Sequence, residues 1–570
     1  MPLQNKKLIF PLLLTLLIIA VTFIGLGVQQ FSTRGEPREA LVAQSIVRSG
    51  DWILPVGYAA GVPSKPPLTH WFMALFSLPG EEVTELTSRL PSAIASLIFA
   101  LCFYLFVRRR TDGPTAFVSS ALLVTTIEWA RTALVARVDL LLSACLSGAL
   151  LSLYAWWEAS NAKPLGSKST APLICVSILC SCGAVLSKGP IGIALPLFIF
   201  TIFLFIKREP VRRIVARCAI VGVPVLLLAS IWYILAWYHG GDAFSAKIYY
   251  ENVARFTSTM EDEPHKHGAF YLIVTTFAGL IPWSLFWLPI TIGTFSPWNW
   301  DRQSLIGKWR KSSALSQYFF LCAVIIFLFF CIPSSKRSVY VLPAYPFICF
   351  FGAEMLLRLS GASLSIFRWA ALILSSFLGS LLALCGALVF IRPFGPPFTG
   401  WKAYIEMLYG QHGDGLSTVL FAPGIMLLVF FASPRLHQLG NSAKTLFAPL
   451  LLFIATAFLA INLCVVGPLN NALSPKDFCQ KISPALPNEA KLYSYQNEFY
   501  GVSFYLARRI DRLDQTPRSN AYIFVYEHDL PSLHKVIDDH GSLEIIARSE
   551  HAVVKMNETL LLVRYIAEPR

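Results

Sequence analysis

Lys65 stands in "PSKPPLTHW", residues 63–71, fixed between prolines just ahead of an apolar run. Lys188 precedes a Gly-Pro pair in "SKGPIG", and Lys336, Arg337 and Tyr340 crowd the entry of another apolar run in "PSSKRSVYVLPAYP". Glu251 and Arg255 lie four apart in "YENVARF", and Glu36 and Arg38 open "GEPREALVAQSIVRSGDW". Ammonium point charges and guanidinium forks are the side chains that bind phosphate. Carboxylates such as Glu36 and Asp139 are the groups that take a proton from a hydroxyl. The chemistry this set could do, converging from several outer loops onto one membrane face, is binding of a phosphate group. Each member also has a simpler reading. Lys65 and Lys188 could snorkel to headgroups beside the aromatic belt, and Lys336 and Arg337 could bind anionic headgroups from a loop. Glu251 and Arg255 could form an i,i+4 helix pair, and Asp139 could pair with Arg137 at the interface. His265 and His267, one residue apart in an acidic loop, are the only and weak metal candidates.

These residues must be positioned by a membrane bundle. The 570-residue chain is 55% hydrophobic and 14% charged, with a mean hydropathy of +0.58. A soluble domain carries about a quarter charged residues. Runs of roughly 17–25 apolar residues mark spans. They fall near 8–28, 91–107, 114–127, 138–157, 171–187, 190–206, 214–237, 270–292, 317–333, 339–357, 369–391, 416–432 and 446–466, about thirteen in all. The first lacks a small-residue cleavage site and reads as a retained anchor. Basic residues gather in alternate short loops, at Lys6 and Lys7, Arg108 to Arg110, Lys163 and Lys168, Lys207 to Arg217, and Arg302 to Lys311. That alternation puts the N-terminus in the cytoplasm and explains the net charge of +14 without nucleic acid.

With this topology the segments 29–90, 238–269 and the tail after 467 lie outside. The chain divides into a transmembrane domain, 1–466, whose outer loop 29–90 carries amphipathic helix, and an extracytoplasmic α/β domain, 467–570. The helix beginning at Gly35 is expected to lie along the bilayer surface. In the tail, "AKLYSYQ", "AYIFVYE" and "TLLLVRYI" read as strands, with helices near 500–509 and 530–539. The twelve cysteines fall almost entirely inside spans, with Cys479 in the tail, and suggest no disulfide framework. No repeat, P-loop or Gly-rich dinucleotide motif is present.

The segments "GEPREALVAQSIVRSGDWILP", "KPPLTHW", "LSKGPIGIALP", "YENVARF", "GLIPW" and "SKRSVYVLPAYP" resemble, in order from about residue 30 to 346, the GT-C polyprenyl-phosphate glycosyltransferases. The likeness is to the aminoarabinose-transferase-like branch of the protein O-mannosyltransferase superfamily. It implies a transferase that takes a sugar from an undecaprenyl or similar polyprenyl phosphate at the outer face of a bacterial inner membrane. The acceptor would be lipid A, another glycolipid or polysaccharide, or a protein. Lys65 and Arg255 are assigned to the donor phosphate, with Lys188, Lys336, Arg337 and Tyr340 in support and Arg38 and Glu251 as further site residues. Where the family's first outer loop reads Asp-Glu, this chain has Gly35-Glu36, leaving Glu36 as first choice of base and Asp139 as second. The branch's metal-like positions are Ser64 and Asn252 here, so no cofactor is expected and the aminoarabinose specificity does not carry over. The competing class is a flippase of lipid-linked sugars, which would show paired, interrupted halves; a structural scaffold would explain the spans but not the clustered charges.

Overall fold

The computed structural model describes residues 6–56, 61–160, 170–251, 267–294, 307, 309–333, 335–391, 443–517, 519–537, 541–550, 553 and 558–567. The membrane part begins with α1 (Lys6–Ile18), which continues as a π turn over Ile19–Phe23, then α2 (Gly35–Ser49), α3 (Leu68–Ser77) and α4 (Glu85–Arg108). It goes on through α5 (Gly113–Val124), α6 (Ile127–Ala133), α7 (Asp139–Ser160), α8 (Ala171–Lys188), α9 (Ile191–Ile206) and α10 (Val211–Tyr249).

Seven helices among the described residues are long and apolar enough to cross a bilayer, including α4, α7, α8, α10 and Ala314–Cys331. The run at 270–292 is instead two helices, Phe270–Gly279 and Trp283–Ile292, bent by 112°. The expected spans near 8–28, 114–127, 190–206 and 446–466 are shorter apolar helices, and 416–432 lies outside the described residues. Among the described residues, seven helices, or eight counting the bent pair, are long and apolar enough to span. α7 is buried nearly all round, its Leu140, Leu146, Leu150, Leu153 and Trp156 having no exposure, which makes it the bundle's central post. Its neighbours α4, α8 and α9 turn one face to it and leave residues such as Ile98, Leu179 and Phe198 outward. That outward apolar surface is what a helix facing lipid requires.

α2 forms where expected, stopped by Gly50 in the left-handed region at φ 70°, which satisfies the Ile46 carbonyl. It does not lie on a surface. Glu36, Pro37 and Glu39 to Ile46 are all buried, because α3 packs on one side and the tail on the other. Phe31 stacks edge-on to Phe504 at 5.0 Å, and its N–H donates to the Tyr505 hydroxyl at 2.8 Å. Lys476 and Tyr505 both reach Glu85 at the start of α4, at 3.3 and 3.0 Å.

The tail carries a five-stranded sheet, β1 (Leu492–Ser494), β2 (Asp511–Arg512), β3 (Ala521–Tyr526), β4 (Gly541–Arg548) and β5 (Leu560–Ala567), in the order β2-β1-β3-β5-β4. β1 is parallel to β2 and β3, whereas β5 is antiparallel to β3 and β4. The two-residue period sends Phe524, Tyr526, Leu560 and Leu562 to one face, against the helices Lys476–Ile482 and Tyr500–Leu506. Ile523, Val525, Leu561 and Val563 go to the other, against Leu530–Ile537. Both faces are covered, which is why β3 and β5 read as unbroken apolar runs. The ten cysteines whose side chains are described are free, Cys479 buried among them.

Candidate active site

A cavity of about 650 Å³ lies where the start of α2, the turn before α3, the α6–α7 junction, the end of α8 and residues 335–340 meet the tail at Glu498 and Tyr500. Lys65 enters on the rigid turn. Pro66 and Pro67 cannot donate to a helix, so α3 starts only at Leu68, with Pro67 at φ −85° as its cap. Lys65 Nζ is 2.7 Å from Glu251 Oε2, and both side chains are mostly buried. From this corner an apolar branch of about 260 Å³ leads off between Leu142, Ile191, Ala194, Ile248, Phe329 and Phe330. A charged head and a greasy chain are thus accommodated side by side.

Lys188 is the last residue of α8. Gly189 follows at φ +97°, ψ −161°, a conformation only glycine adopts readily, which turns the chain into α9. Lys188 Nζ donates to Asp139 Oδ1 at 2.6 Å and lies 4.4 Å from the Tyr340 ring centroid. Asp139, at the first turn of α7, therefore pairs with Lys188 rather than with Arg137, and it faces the cavity as a charge at a span end should. Glu251 likewise pairs with Lys65. Arg337 and Tyr340 line the cavity. Lys336, next in sequence to Arg337, does not: it is buried, bonded to the Pro333 carbonyl and absent from the cavity wall. The fold thus does not bring Lys336 together with the other expected phosphate ligands.

Glu36 is also differently placed. Its Oε1 accepts from Arg89 Nε at 2.8 Å and from the Ala136 N–H at 2.9 Å, and its Oε2 accepts from Arg89 Nη2 at 3.2 Å. Arg89 Nη1 then ties down the Leu26 and Gln29 carbonyls at 3.0 and 2.6 Å. A carboxylate with its oxygens committed in this way to buried donors holds structure together and is poorly disposed to take a proton. Glu36 nevertheless lines the cavity.

Arg38 reaches into the cavity with a partner the sequence did not single out. Glu39 Oε1 takes Arg38 Nη2 at 2.6 Å, and Glu39 Oε2 is 2.7 Å from His70 Nε2. Burial alone would raise the Glu39 pKa, but Arg38 and His70 outweigh it and hold the carboxyl well below its ordinary range. Glu39 also holds the Arg38 pKa above its ordinary value. Glu498 and Tyr500, brought in by the tail, were missed too; no local spacing marks residues that reach a site by domain docking. Burial pushes the Tyr500 hydroxyl up, and a bond to Glu498 adds to it.

Arg255 and His265 lie outside the described residues. His267 is exposed, stacked on Tyr271 at 4.1 Å, and does not line the cavity. Among the described residues no three His, Cys, Asp or Glu side chains cluster as a metal centre would require. At the Lys65 corner the neighbours are the Ser64 hydroxyl and a Glu251 carboxylate already joined to Lys65, a poor donor set for a divalent cation. The cavity wall is cationic instead: Arg34, Arg38, Lys65, Arg131, Arg137, Lys188 and Arg337 face Glu36, Glu39, Asp139, Glu251 and Glu498.

The comparisons with known proteins agree with this architecture. The dolichyl-phosphate-mannose-protein mannosyltransferase family matches residues 64–237. The undecaprenyl phosphate-alpha-4-amino-4-deoxy-L-arabinose arabinosyl transferase of Shewanella sediminis is 24% identical over 517 residues, 89% of this chain and 86% of its own. The crystal structure of ArnT from Cupriavidus metallidurans bound to undecaprenyl phosphate superposes with a TM-score of 0.71 at 18% identity, over 98% of this chain and 99% of that one. The archaeal oligosaccharyltransferase AglB from Archaeoglobus fulgidus, in complex with an inhibitory peptide and a dolichol-phosphate, gives a TM-score of 0.51 at 11% identity, over 89% and 64%. In fold the chain is similar to these membrane transferase structures, and in sequence it is similar to the undecaprenyl phosphate-aminoarabinose arabinosyl transferases.

Proposed function

We propose that this protein is a membrane glycosyltransferase that moves a sugar from a polyprenyl-phosphate donor to an envelope acceptor at the outer face of a bacterial inner membrane. The observation that carries the reading is the junction at Lys65, where a fixed ammonium ends an apolar branch and opens a polar cavity. A lipid phosphate fits there with its chain in the branch and its sugar in the cavity. In the reaction the bond from the sugar's anomeric carbon to the phosphate oxygen breaks, its electron pair going to the phosphate. A bond from the acceptor oxygen forms in its place. Lys65, with Arg255 from the same loop as Glu251, stabilises the charge that gathers on the phosphate, and the Lys188 ammonium and Tyr340 flank it. The entering phosphate competes with Glu251 for Lys65.

If the acceptor is a hydroxyl its proton needs a base, and Asp139 takes the role from Glu36. Lys188 bonds Asp139 through Oδ1, the carboxylate lines the cavity, and among the described residues no backbone N–H claims it. If the acceptor is a phosphate no base is needed, and Asp139 orients Lys188. Arg38 and Glu251 act as positioning residues. The N-terminus is cytoplasmic and the tail periplasmic, as the alternating basic loops require, so reporters fused after Gly440 and after Asn488 should report opposite sides. Deleting the gene should remove a sugar mass from an envelope glycolipid, polysaccharide or glycoprotein. An unchanged envelope mass profile would overturn the reading.

A further inference from the structure

Most cations in the cavity are already satisfied by the protein. Arg38 has Glu39, Lys65 has Glu251, Arg131 has Glu128, Lys188 has Asp139, and Arg34 has the Asn497 amide. Arg137 and Arg337 are different: among the described residues neither guanidinium forms a hydrogen bond or ion pair, yet both line the cavity. They are also close enough to oppose each other. Burial and then the Arg137 charge pull the Arg337 pKa below its ordinary value, with Asp139 and Tyr340 only partly compensating. The carboxylates that act on them, Asp139 on both and Glu39 on Arg137, are already bonded to Lys188 and Arg38, so two part-buried like charges held together cost free energy that an anionic ligand would recover.

The chain is built to keep Arg137 there. Ser92 Oγ donates to the Val135 carbonyl at 2.9 Å and the Arg137 carbonyl at 3.3 Å, and the Ala136 N–H is held by Glu36. The buried Glu36–Arg89 pair thus fixes the backbone that carries Arg137. The guanidinium then lies against the first residue of α2: a Cβ added at Gly35 would sit 1.5 Å from Arg137 Nη1 and 2.7 Å from its Cζ. A side chain at position 35 would force the guanidinium to shift from this place.

We propose that Arg137 and Arg337 form a second anion subsite, seated by Gly35 and separate from the Lys65 corner, that binds a carboxylate or phosphate carried by the transferred sugar or the acceptor. Guanidinium forks match both groups bidentately. The biological meaning rests on the donor cavity proposed above, but the test reads binding and needs no turnover. The full chain in nanodiscs is first saturated with undecaprenyl phosphate, then titrated at low salt with phenyl phosphate, standing for an acceptor phosphate, or methyl glucuronide, standing for a sugar carboxylate. At least one probe should bind without displacing the lipid, and the one that binds identifies the source. Arg137→Gln with Arg337→Gln should weaken that probe by about tenfold or more, and Arg137→Gln alone should weaken it while leaving undecaprenyl phosphate bound as before. Gly35→Ala should weaken it with both arginines present. Failure of both probes, competition with the lipid, or undiminished probe binding in the double variant would overturn the subsite. Failure of undecaprenyl phosphate itself to bind would instead count against the donor cavity.

Discussion

Replacing Lys65 removes the side chain on which phosphate stabilisation most depends, and the structure sets the expected size and its control. Loss of one preorganised group aimed at developing negative charge costs about 100- to 1,000-fold in kcat, or ~2.7–4 kcal/mol. Lys65→Ala does more than this, because its partner Glu251 is only about 10% exposed and is left facing the phosphate. At an effective dielectric near 20, two like charges about 4 Å apart repel by as much as ~4 kcal/mol, so the single variant should fall beyond the lower figure. The same carboxylate, stripped of its Lys65 partner, should lower stability by roughly 1–3 kcal/mol. Adding Glu251→Gln removes the repulsion, so the double variant should regain about tenfold or more over Lys65→Ala, each 1.4 kcal/mol relieved being a factor of ten. Lys65→Arg should rescue poorly, the planar fork not reproducing the compact ammonium. The assay is transfer by purified protein in nanodiscs, with thermal unfolding of each variant alongside. Near-normal transfer by Lys65→Ala, or a double variant slower than the single, would refute the reasoning.

Glu36→Gln or Arg89→Ala should destabilise the protein by about 3–5 kcal/mol, as breaking one side of a buried ion pair does, read as a lower unfolding midpoint; a variant that is fully stable yet inactive would return Glu36 to catalysis. Glu39 has its pKa lowered in the fold, so its stabilisation is present above the ordinary carboxyl value of 4.5 and is lost as pH falls through the lower folded value. The unfolding midpoint should decline in that acid window, and Glu39→Gln should flatten the decline at the cost of a lower midpoint at neutral pH. Transfer should survive exhaustive EDTA treatment, because fixed cations line the cavity where Ser64 and a lysine-bound Glu251 stand. Loss on chelation, restored by one added ion and removed by His267→Ala, would place a metal in the site.

What could be read from the residues depended on how local their reasons are. Apolar runs mark helices because each helix satisfies its own backbone, so α4, α7, α8 and α10 were legible. The break at 280–282 was not, since the run 270–292 stays apolar through it. Lys65, Lys188, Asp139, Arg337 and Tyr340 were legible as charges or polar groups at span ends that insertion does not explain. Lys336 and Arg337 look equivalent as neighbours, and only the fold sends one to the Pro333 carbonyl and the other to the cavity. Glu36 and Arg89 are 53 positions apart, so their pairing carries no spacing signal. Glu39 was hidden inside an amphipathic pattern, and Glu498 and Tyr500 arrive only when the tail docks through Phe504 and Tyr505. β4 was missed because "GSLEIIAR" pairs along one edge of the sheet with little apolar alternation to mark it.

The central claim is chemical transfer from a lipid phosphate held at Lys65. The direct measurement is mass spectrometry of the lipids and acceptors recovered after purified protein in nanodiscs is incubated with membrane-extracted polyprenyl-phosphate sugars and envelope acceptors. The account expects free polyprenyl phosphate to appear in step with a glycosylated acceptor, and both to vanish with Lys65→Ala while that variant remains folded. Intact lipid-linked sugar that is moved across the bilayer without losing its sugar would contradict it and make the protein a flippase.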